Sequence, residues 1–155
     1  MQNPASVAGV KTETAEEEIR RVVTESQLYE TLFIYGNPAG FDKGKLLEYW
    51  VPESKGGKAI VQVQNAVRRL LDRRWHYSKE SKNEEFVIRS ITFFAPGDVA
   101  DVTTRERWYV PMVDEQGRLV KDREATLEYS IRYRVVKIDG RWLLLLNSTP
   151  YRDRN

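Results

Sequence analysis

The chain contains no cysteine and only one histidine, His76. Without cysteine it can form no disulfide, no thiolate metal site and no cysteine nucleophile, and it is compatible with either redox environment. A metal site built on His76 would need carboxylates for all its other ligands, so we predict no metal and no other cofactor.

Long apolar runs are also missing. No stretch approaches the roughly eighteen consecutive apolar residues that indicate a membrane span. The first ten residues lack the basic start and apolar middle of a secretory signal. We therefore expect the chain as given to be soluble, with the cytoplasm favoured as its compartment. A membrane anchor elsewhere in a longer protein would leave no trace in these residues.

Neither sign of charge is in large excess. The 25 lysine and arginine residues nearly balance the 23 aspartate and glutamate residues, which gives a formal net charge of +2. This balance does not indicate a nucleic-acid partner, and we predict none. At 155 residues the chain is long enough for one domain with its own hydrophobic core.

The strongest structural signal is a β-hairpin over residues 125–148, with its turn at Asp139-Gly140. Asp-Gly between two apolar runs favours a two-residue turn in which both residues have positive φ. Alternation along the first strand predicts a buried face formed by Leu127, Tyr129, Ile131, Tyr133 and Val135. The short turn predicts three opposed pairs: Ile138 with Arg141, Val135 with Leu144, and Tyr133 with Leu146. We expect Tyr133 and Trp142 to lie in the core.

Three helices are predicted before the first strand. Thr14-Ala15-Glu16-Glu17 is a capping box that starts the first helix. Apolar residues at three- and four-residue steps carry that helix to about Tyr35, with Phe33 on its buried stripe. A short second helix is predicted over residues 41–50, and a third from residue 58 to about residue 77. The inward-facing residues of the second helix are predicted to be Leu46, Leu47 and Trp50.

After Asn83 the apolar period changes from about 3.6 to 2, which indicates strands over residues 86–94 and 99–110. Helices followed by a run of antiparallel strands are typical of an α+β fold. We therefore predict one domain over residues 14–150, with three N-terminal helices packed on a curved antiparallel sheet. Residues 1–13 are predicted to be a flexible leader and residues 151–155 a charged tail.

Four segments carry a resemblance to a known superfamily. They are Arg74-Trp75-His76-Tyr77, Asp98-Val99-Ala100-Asp101-Val102, Arg105-Glu106-Arg107-Trp108 and the hairpin segment 133–142. Residues 14–148 resemble the nuclear transport factor two-like superfamily, and the four segments are most similar to the C-terminal domain of the cyanobacterial and plastid division-site protein. The resemblance implies a cone-shaped α+β fold. The superfamily also includes ketosteroid isomerase-like and polyketide cyclase-like enzymes, although none of the four segments is a catalytic signature.

Glu106 is the first catalytic candidate, because alternation places it on the apolar side of its strand. A carboxylate held against aromatic rings would have a raised pKa and could act as a general base, as an acid does in the ketosteroid isomerase-like relatives. The alternative is a structural role in which Arg132 or Arg134 pairs with Glu106 and its pKa is normal, and we expect this. His76 is the second candidate, but at a helix end it is expected to contact terminal carbonyls.

Two further sets of residues are candidates for binding a ligand or partner. The aromatic residues Trp75, Trp108, Tyr109 and Tyr129 would either line a cavity or fill the core. The basic residues Arg68, Arg69, Arg73 and Arg74 would either meet an acidic peptide, a phosphate or an anionic membrane surface, or form a solvated helix face.

A last set predicts association through the sheet. Val136, Ile138, Leu143 and Leu145 form an apolar patch on the face opposite the core, which a second copy in a homodimer or another part of the chain would cover. We predict a non-catalytic binding or assembly module that recognises a partner protein, a peptide or a second copy of itself. The alternative is a small-molecule-binding protein or enzyme of the ketosteroid isomerase-like or polyketide cyclase-like kind that uses a cone cavity.

Overall fold

The computed structural model describes residues 12–148 and the backbone of residues 151–152. It shows an α+β fold with three helices ahead of a curved antiparallel sheet. The α-helices are α1 Ala15–Leu28, α2 Lys43–Leu46 and α3 Ala59–Arg73. A π-helix, Tyr29–Ile34, continues α1, and two 3-10 turns lie at Pro38–Gly40 and Glu53–Lys55. Within the described residues, no helix has the length and apolar character needed to cross a membrane.

The predicted capping box starts α1. The Glu17 amide donates to Thr14 Oγ1 at 3.1 Å, and the Thr14 amide donates to Glu17 Oε1 at 2.9 Å. These reciprocal bonds satisfy first-turn amides that have no partner within the helix. Of the predicted leader, Glu13 is described and forms an ion pair with Arg21 at 2.9 Å. Residues 1–11 lie outside the described part of the chain.

The strands form one main sheet and one small ribbon. The strands are β1 His76–Tyr77, β2 Lys82–Phe94, β3 Val99–Tyr109, β4 Met112–Val113, β5 Thr126–Ile138, β6 Arg141–Asn147 and β7 Tyr151–Arg152. The order in the main sheet is β2-β3-β5-β6, with β7 also paired to β5, while β1 and β4 pair separately. Every pairing between named strands is antiparallel.

The β5–β6 hairpin turns at Asp139 and Gly140, whose φ angles are 49° and 81°, as Asp-Gly predicts. Ile138 pairs with Arg141 and Val135 pairs with Leu144, so two of the three predicted pairs are confirmed. The third is wrong, because Tyr133 pairs with Asn147 instead of Leu146. A register shift next to Val135 leaves one extra β6 residue, Leu145, between consecutive pairs.

One hydrophobic core joins the helices to the sheet. Its members come from α1, the π-helix, α2, α3 and strands β3, β5 and β6. Tyr133 is fully buried and Trp142 is 1% exposed, so both predictions for the hairpin core are confirmed. The Trp142 ring also meets the Phe93 ring edge-on at 5.9 Å.

Three predictions about the helices are wrong. Leu47 is 41% exposed, because α2 ends at Leu46 and only a turn follows. Phe33 is 66% exposed, because the π-helix adds a residue to the turn and brings Ile34 inward instead. The third helix ends at Arg73, four residues early, because Arg74 takes the left-handed conformation that closes helices.

Two residues of the predicted charged tail belong to the main sheet. Tyr151–Arg152 form β7, which pairs with Tyr129 and Ser130 of β5. Strand β6 reaches only as far as Tyr133 along β5, so the first half of β5 still has an edge free for pairing. No local pattern in the sequence predicts this pairing, because it follows from the unequal lengths of β5 and β6.

The predicted apolar patch is partly covered by the chain itself. Leu143 is only 3% exposed, so a single copy does not offer it to a partner, while Val136, Ile138 and Leu145 are half-buried. The main chain of residues 49–58 runs along the outer edge of β6. It donates from Val51 to the Leu144 carbonyl and from Lys58 to the Leu145 carbonyl, both at 2.9 Å.

Candidate functional site

A cavity of about 390 Å³ opens among the π-helix, α3 and the core-facing side of β3 and β5. Both Glu30 and Glu106 line it, and we call it the Glu30–Glu106 cavity. Its size is within the usual range of small-molecule sites. Other lining residues are Gln27, Tyr35, Arg69, Trp108, Tyr129 and Asn147.

Glu106 is 1% exposed and is held by three donors from its own chain. Its Oε2 accepts from the Tyr133 hydroxyl at 2.5 Å and from the Thr104 hydroxyl at 2.7 Å. Its Oε1 accepts from Trp108 Nε1 at 2.9 Å. Burial raises the pKa of Glu106 above the ordinary glutamate value, although the three hydrogen bonds oppose the rise.

The expected pairing of Glu106 with an arginine is therefore wrong, and so is its expected normal pKa. Arg134 pairs with Asp101 at 2.8 Å, and Arg132 is exposed. Successive residues of a strand point to opposite faces, and each of these arginines alternates with a core-facing residue of β5. Alternation placed Glu106 correctly and excludes both arginines from its side of the sheet.

Glu30 is the functional residue that sequence analysis missed. It lies in the π-helix and its Oε2 accepts from the Tyr35 hydroxyl at 2.8 Å. Burial raises the pKa of Glu30 to about 7; hydrogen bonds from Tyr35 and Gln27 oppose the rise, and the nearby charge of Glu106 adds to it.

A signal for Glu30 is present in the sequence. Val23, Gln27, Glu30 and Ile34 follow at steps of four, three and four residues, which is the spacing of one helix face. Val23 and Ile34 are buried and Gln27 is 5% exposed, so this face points inward. Two polar residues on a buried face indicate a polar interior site.

Neither cavity carboxylate has a basic partner. Within residues 12–148, no lysine, arginine or histidine forms an ion pair with Glu30 or Glu106. Asn147 contributes a buried Oδ1 atom that also has no hydrogen-bond partner in the described structure. The cavity wall therefore presents acceptors to whatever occupies it, and it can bind a group that supplies hydrogen-bond donors.

His76 does not join Glu106. It lies in β1 instead of at a helix end, and its Nδ1 is 2.8 Å from the carbonyl of Tyr77. It is not among the residues that line the cavity. The two residues named for an enzyme are therefore not brought together. Tyr109 also lies away from the cavity, since it follows Trp108 on β3 and points to the opposite face.

The aromatic and basic candidates divide between two places. Trp108 and Tyr129 line the Glu30–Glu106 cavity, as a cavity-lining role requires. Trp75 instead lines an adjoining cavity of about 130 Å³. The guanidinium groups of Arg73 and Arg123 lie over the Trp75 ring, 5.2 and 5.5 Å from its centroid.

The four basic candidates at the end of α3 differ in what they contact. Arg69 is exposed and lines both cavities. Arg68 is exposed, and Arg74 forms a loose ion pair with Glu115 at 3.9 Å. Arg69 and Arg73 are thus the two members of this set that border a cavity.

No family model matches the sequence, and no curated protein matches it. Two of the similar solved structures have TM-scores below 0.5. One is a Xanthomonas campestris protein named for a calcium/calmodulin-dependent protein kinase II association domain, with TM-score 0.48 and 14% identity over 87% of this chain and 86% of that chain. The other is a Nostoc punctiforme protein with a cystatin-like fold, with TM-score 0.44 and 16% identity over 92% and 96%.

A third solved structure is much more similar. It is the intermembrane-space region of the chloroplast protein ARC6, with a TM-score of 0.70 and 15% identity over 92% of this chain and 100% of that chain. This similarity confirms the resemblance to the C-terminal domain of the division-site protein that the sequence indicated. The chain therefore shares the fold of the ARC6 region.

Proposed function

We propose that the chain is a non-catalytic binding module that receives a ligand, or a side chain of a partner protein, in the Glu30–Glu106 cavity. The observation that supports this most is a preformed cavity of about 390 Å³ that is lined by two carboxylates without a basic partner and by the unpaired Oδ1 atom of Asn147. Sites for small molecules usually combine such a volume with a few fixed polar groups and aromatic walls.

The hydrogen bonds of Glu106 favour binding over catalysis. Three neutral side chains, Thr104, Trp108 and Tyr133, donate to its carboxylate and fix its position. A general base must reach the proton that it removes. Glu106 is held in place as part of a rigid wall, which is what a binding site requires.

A panel of three small probes tests the proposal. Butylammonium, butyrate and 1-butanol have the same carbon chain and differ in charge. Ligands of so few atoms are expected to bind in about the millimolar range, so each probe is titrated to tens of millimolar. The readout is the NMR signal of the Trp108 indole N–H, which donates to Glu106 inside the cavity. We expect at least one probe to shift this signal with saturation.

Two substitutions on α3 test whether the probes bind inside the cavity: one fills the cavity, and the other is its matched control. Ala66 lines the cavity and Arg68 is exposed on the same helix. Ala66→Trp should fill the cavity and remove the probe-induced shift, whereas Arg68→Trp should leave it unchanged. If Ala66→Trp does not fold, Ala66→Leu replaces it. Absence of binding by all three probes, or binding that persists in a folded cavity-filled variant, would refute the proposal.

Acid–base catalysis on a small molecule is the second candidate function. The observation that favours it is the position of Glu30 in the cavity wall, where burial raises its pKa to about 7. A general base is most effective when its pKa lies near the operating pH. Exchange of the α-protons of cyclohexanone in D₂O, followed by NMR, tests this. Exchange faster than in buffer that is lost in Glu30→Gln would favour an enzyme, and exchange at the buffer rate would exclude this chemistry for that probe.

A further inference from the structure

We propose that the occupant of the Glu30–Glu106 cavity is an organic cation, an alkylammonium or guanidinium group that neutralises the two carboxylates. This inference rests on the proposed function, because it names the chemical class of the ligand. It starts from Glu106, which is only 1% exposed. Its hydrogen bonds all come from uncharged donors, so its charge has no counter-ion.

The geometry leaves acceptor capacity on the cavity wall. A carboxylate oxygen can accept two hydrogen bonds, and Glu106 Oε1 accepts only the one from Trp108. The buried Oδ1 atom of Asn147 accepts none within the described residues. Gln27 and Glu30 line the same space. An ammonium group carries three donors and a guanidinium carries five, and both lack acceptors, so either suits a wall of this composition.

The charge of the two carboxylates favours a cationic ligand over a neutral hydrogen-bond donor. Water or a hydroxyl group could satisfy the free acceptors, but neither would reduce the repulsion that makes the charge of Glu106 raise the pKa of Glu30. A positive group near both carboxylates would favour their charged forms and would also make stronger, charge-assisted hydrogen bonds. A cation would therefore relieve the repulsion between the carboxylates, which a neutral donor would not.

The aromatic lining is a second, independent observation. Tyr35, Tyr77, Trp108 and Tyr129 all line the cavity. The faces of such rings attract ammonium and guanidinium groups, and desolvated sites strengthen this attraction. A metal ion fits less well, because the described residues contain no group of three or more histidine or acidic residues able to hold one.

Arg69 lies at the exposed side of the same cavity and acts against a cation. Its charge already influences Tyr35, since it lowers the pKa of that hydroxyl against the larger effect of burial. Replacing Arg69 with glutamine should therefore tighten the binding of a cation. Arg73→Gln provides the matched control, because Arg73 lies over Trp75 and lines only the adjoining cavity.

The same three probes test the ligand class. We expect butylammonium to bind at least about tenfold more tightly than 1-butanol, because its contacts are charge-assisted. Glu106→Gln and Glu30→Gln should each reduce this preference for butylammonium over 1-butanol, while Glu48→Gln, on an exposed residue, should not change it. If Glu106→Gln does not fold, Glu30→Gln at the cavity wall is used for the test instead.

Failure of this inference is distinguishable from failure of the proposed function. If 1-butanol or butyrate binds in the cavity as tightly as butylammonium, the cavity is a binding site and the cationic ligand is refuted. The same holds if both glutamine variants keep the full preference for butylammonium. If no probe binds, both the binding function and the ligand class are wrong.

A tripeptide identifies the source of the cation. The probe is acetyl-Ala-Lys-Ala-amide, compared with the same peptide carrying acetyl-lysine, which has no charge. Binding of the lysine peptide alone, with an affinity like that of butylammonium, supports recognition of a basic side chain on a partner protein. Binding of butylammonium without the lysine peptide supports a free amine as the ligand. Binding of both peptides equally would contradict a role for the charge.

Discussion

Glu106 is stable in the interior because three neutral donors replace the water that burial removes. The Tyr133 hydroxyl is one of them, and it is itself completely buried. We predict that Tyr133→Phe lowers the free energy of unfolding by about 1.5–3 kcal/mol, the usual effect of removing a hydrogen bond to a charged group. Chemical denaturation at neutral pH measures this.

Tyr109→Phe is the control for that measurement. Tyr109 follows Trp108 on β3 and points away from the cavity, so its hydroxyl does not support Glu106. Equal losses in the two phenylalanine variants would contradict a specific role of the Tyr133 hydroxyl.

Glu30 should make stability depend on pH. Because its pKa rises from 4.5 in the unfolded chain to about 7 in the fold, the folded state binds more protons between these values. Stability contributed by Glu30 must then fall as pH rises through this window, by about 2 kcal/mol between pH 5 and pH 8. Burial of Glu106 acts in the same direction.

The comparison of Glu30→Gln with the wild type isolates this effect. The stability of the variant relative to the wild type should rise from pH 5 to pH 8, as measured by denaturation at several pH values. Glu48→Gln, a substitution at an exposed glutamate, is the control. A difference between wild type and Glu30→Gln that does not change with pH would contradict a raised pKa for Glu30.

At the level of residues, the sequence predicts which side of a strand faces the core better than it predicts which side chains form hydrogen bonds with each other. Alternation places Glu106 and Trp108 on the buried side of β3, and both are buried. The tyrosine that supports Glu106 lies 27 positions further along the chain, and only the pairing of β3 with β5 brings them together. Alternation alone therefore does not identify Tyr133 as the partner of Glu106.

At the level of elements, the π-helix explains the wrong prediction for Phe33. A helical pattern projected at 3.6 residues per turn places Phe33 inward. The wider π turn changes the phase, so that Phe33 is 66% exposed while Ile34 is buried. Single π-helical turns are frequent at functional sites, and this one carries a cavity carboxylate.

The β5–β6 hairpin should carry much of the stability. Trp142 is 1% exposed and is part of the core that joins this hairpin to the helices. We predict that Trp142→Ala lowers the free energy of unfolding by about 3–5 kcal/mol, the usual range for a buried aromatic residue. Trp75→Ala should cost clearly less, because Trp75 is only half-buried. An unchanged denaturation midpoint in Trp142→Ala would show that the hairpin does not hold the core.

Local sequence signals in the hairpin were sufficient to predict its turn and the residue pairs next to the turn. They were not sufficient to predict the pairing register far from the turn. Asp139-Gly140 fixes the register near the turn, as observed. The shift beside Val135 occurs where the amide of Lys58 donates to the carbonyl of Leu145. That contact joins residues far apart in sequence, so no pattern within the hairpin predicts it.

At the level of the whole molecule, the order of helices and strands was enough to predict an α+β fold. The similarity to the ARC6 region supports the same architecture. The ribbon of β1 and β4 and the pairing of β7 with β5 were not predicted, because each pairs a two-residue strand across a long sequence separation. Short strands of this kind have no periodicity to detect.

The burial of Leu143 changes the expectation for self-association. Stable interfaces bury roughly 800 Å² on each partner. Three half-buried residues, Val136, Ile138 and Leu145, remain of the four-residue patch. We now predict a monomer in light scattering at every concentration measured. A dimer that Leu145→Lys converts into a folded monomer would contradict this and would restore the patch as an interface.

The most direct test of the central claim is a carboxyl NMR titration of Glu30 and Glu106 with and without butylammonium. We predict a pKa near 7 for Glu30 in the free protein. We also predict that the pKa of Glu30 falls when butylammonium is added, because a bound cation favours the charged carboxylate. A pKa of Glu30 near the ordinary value of about 4.3 that does not respond to butylammonium would contradict the cavity as a site for cations.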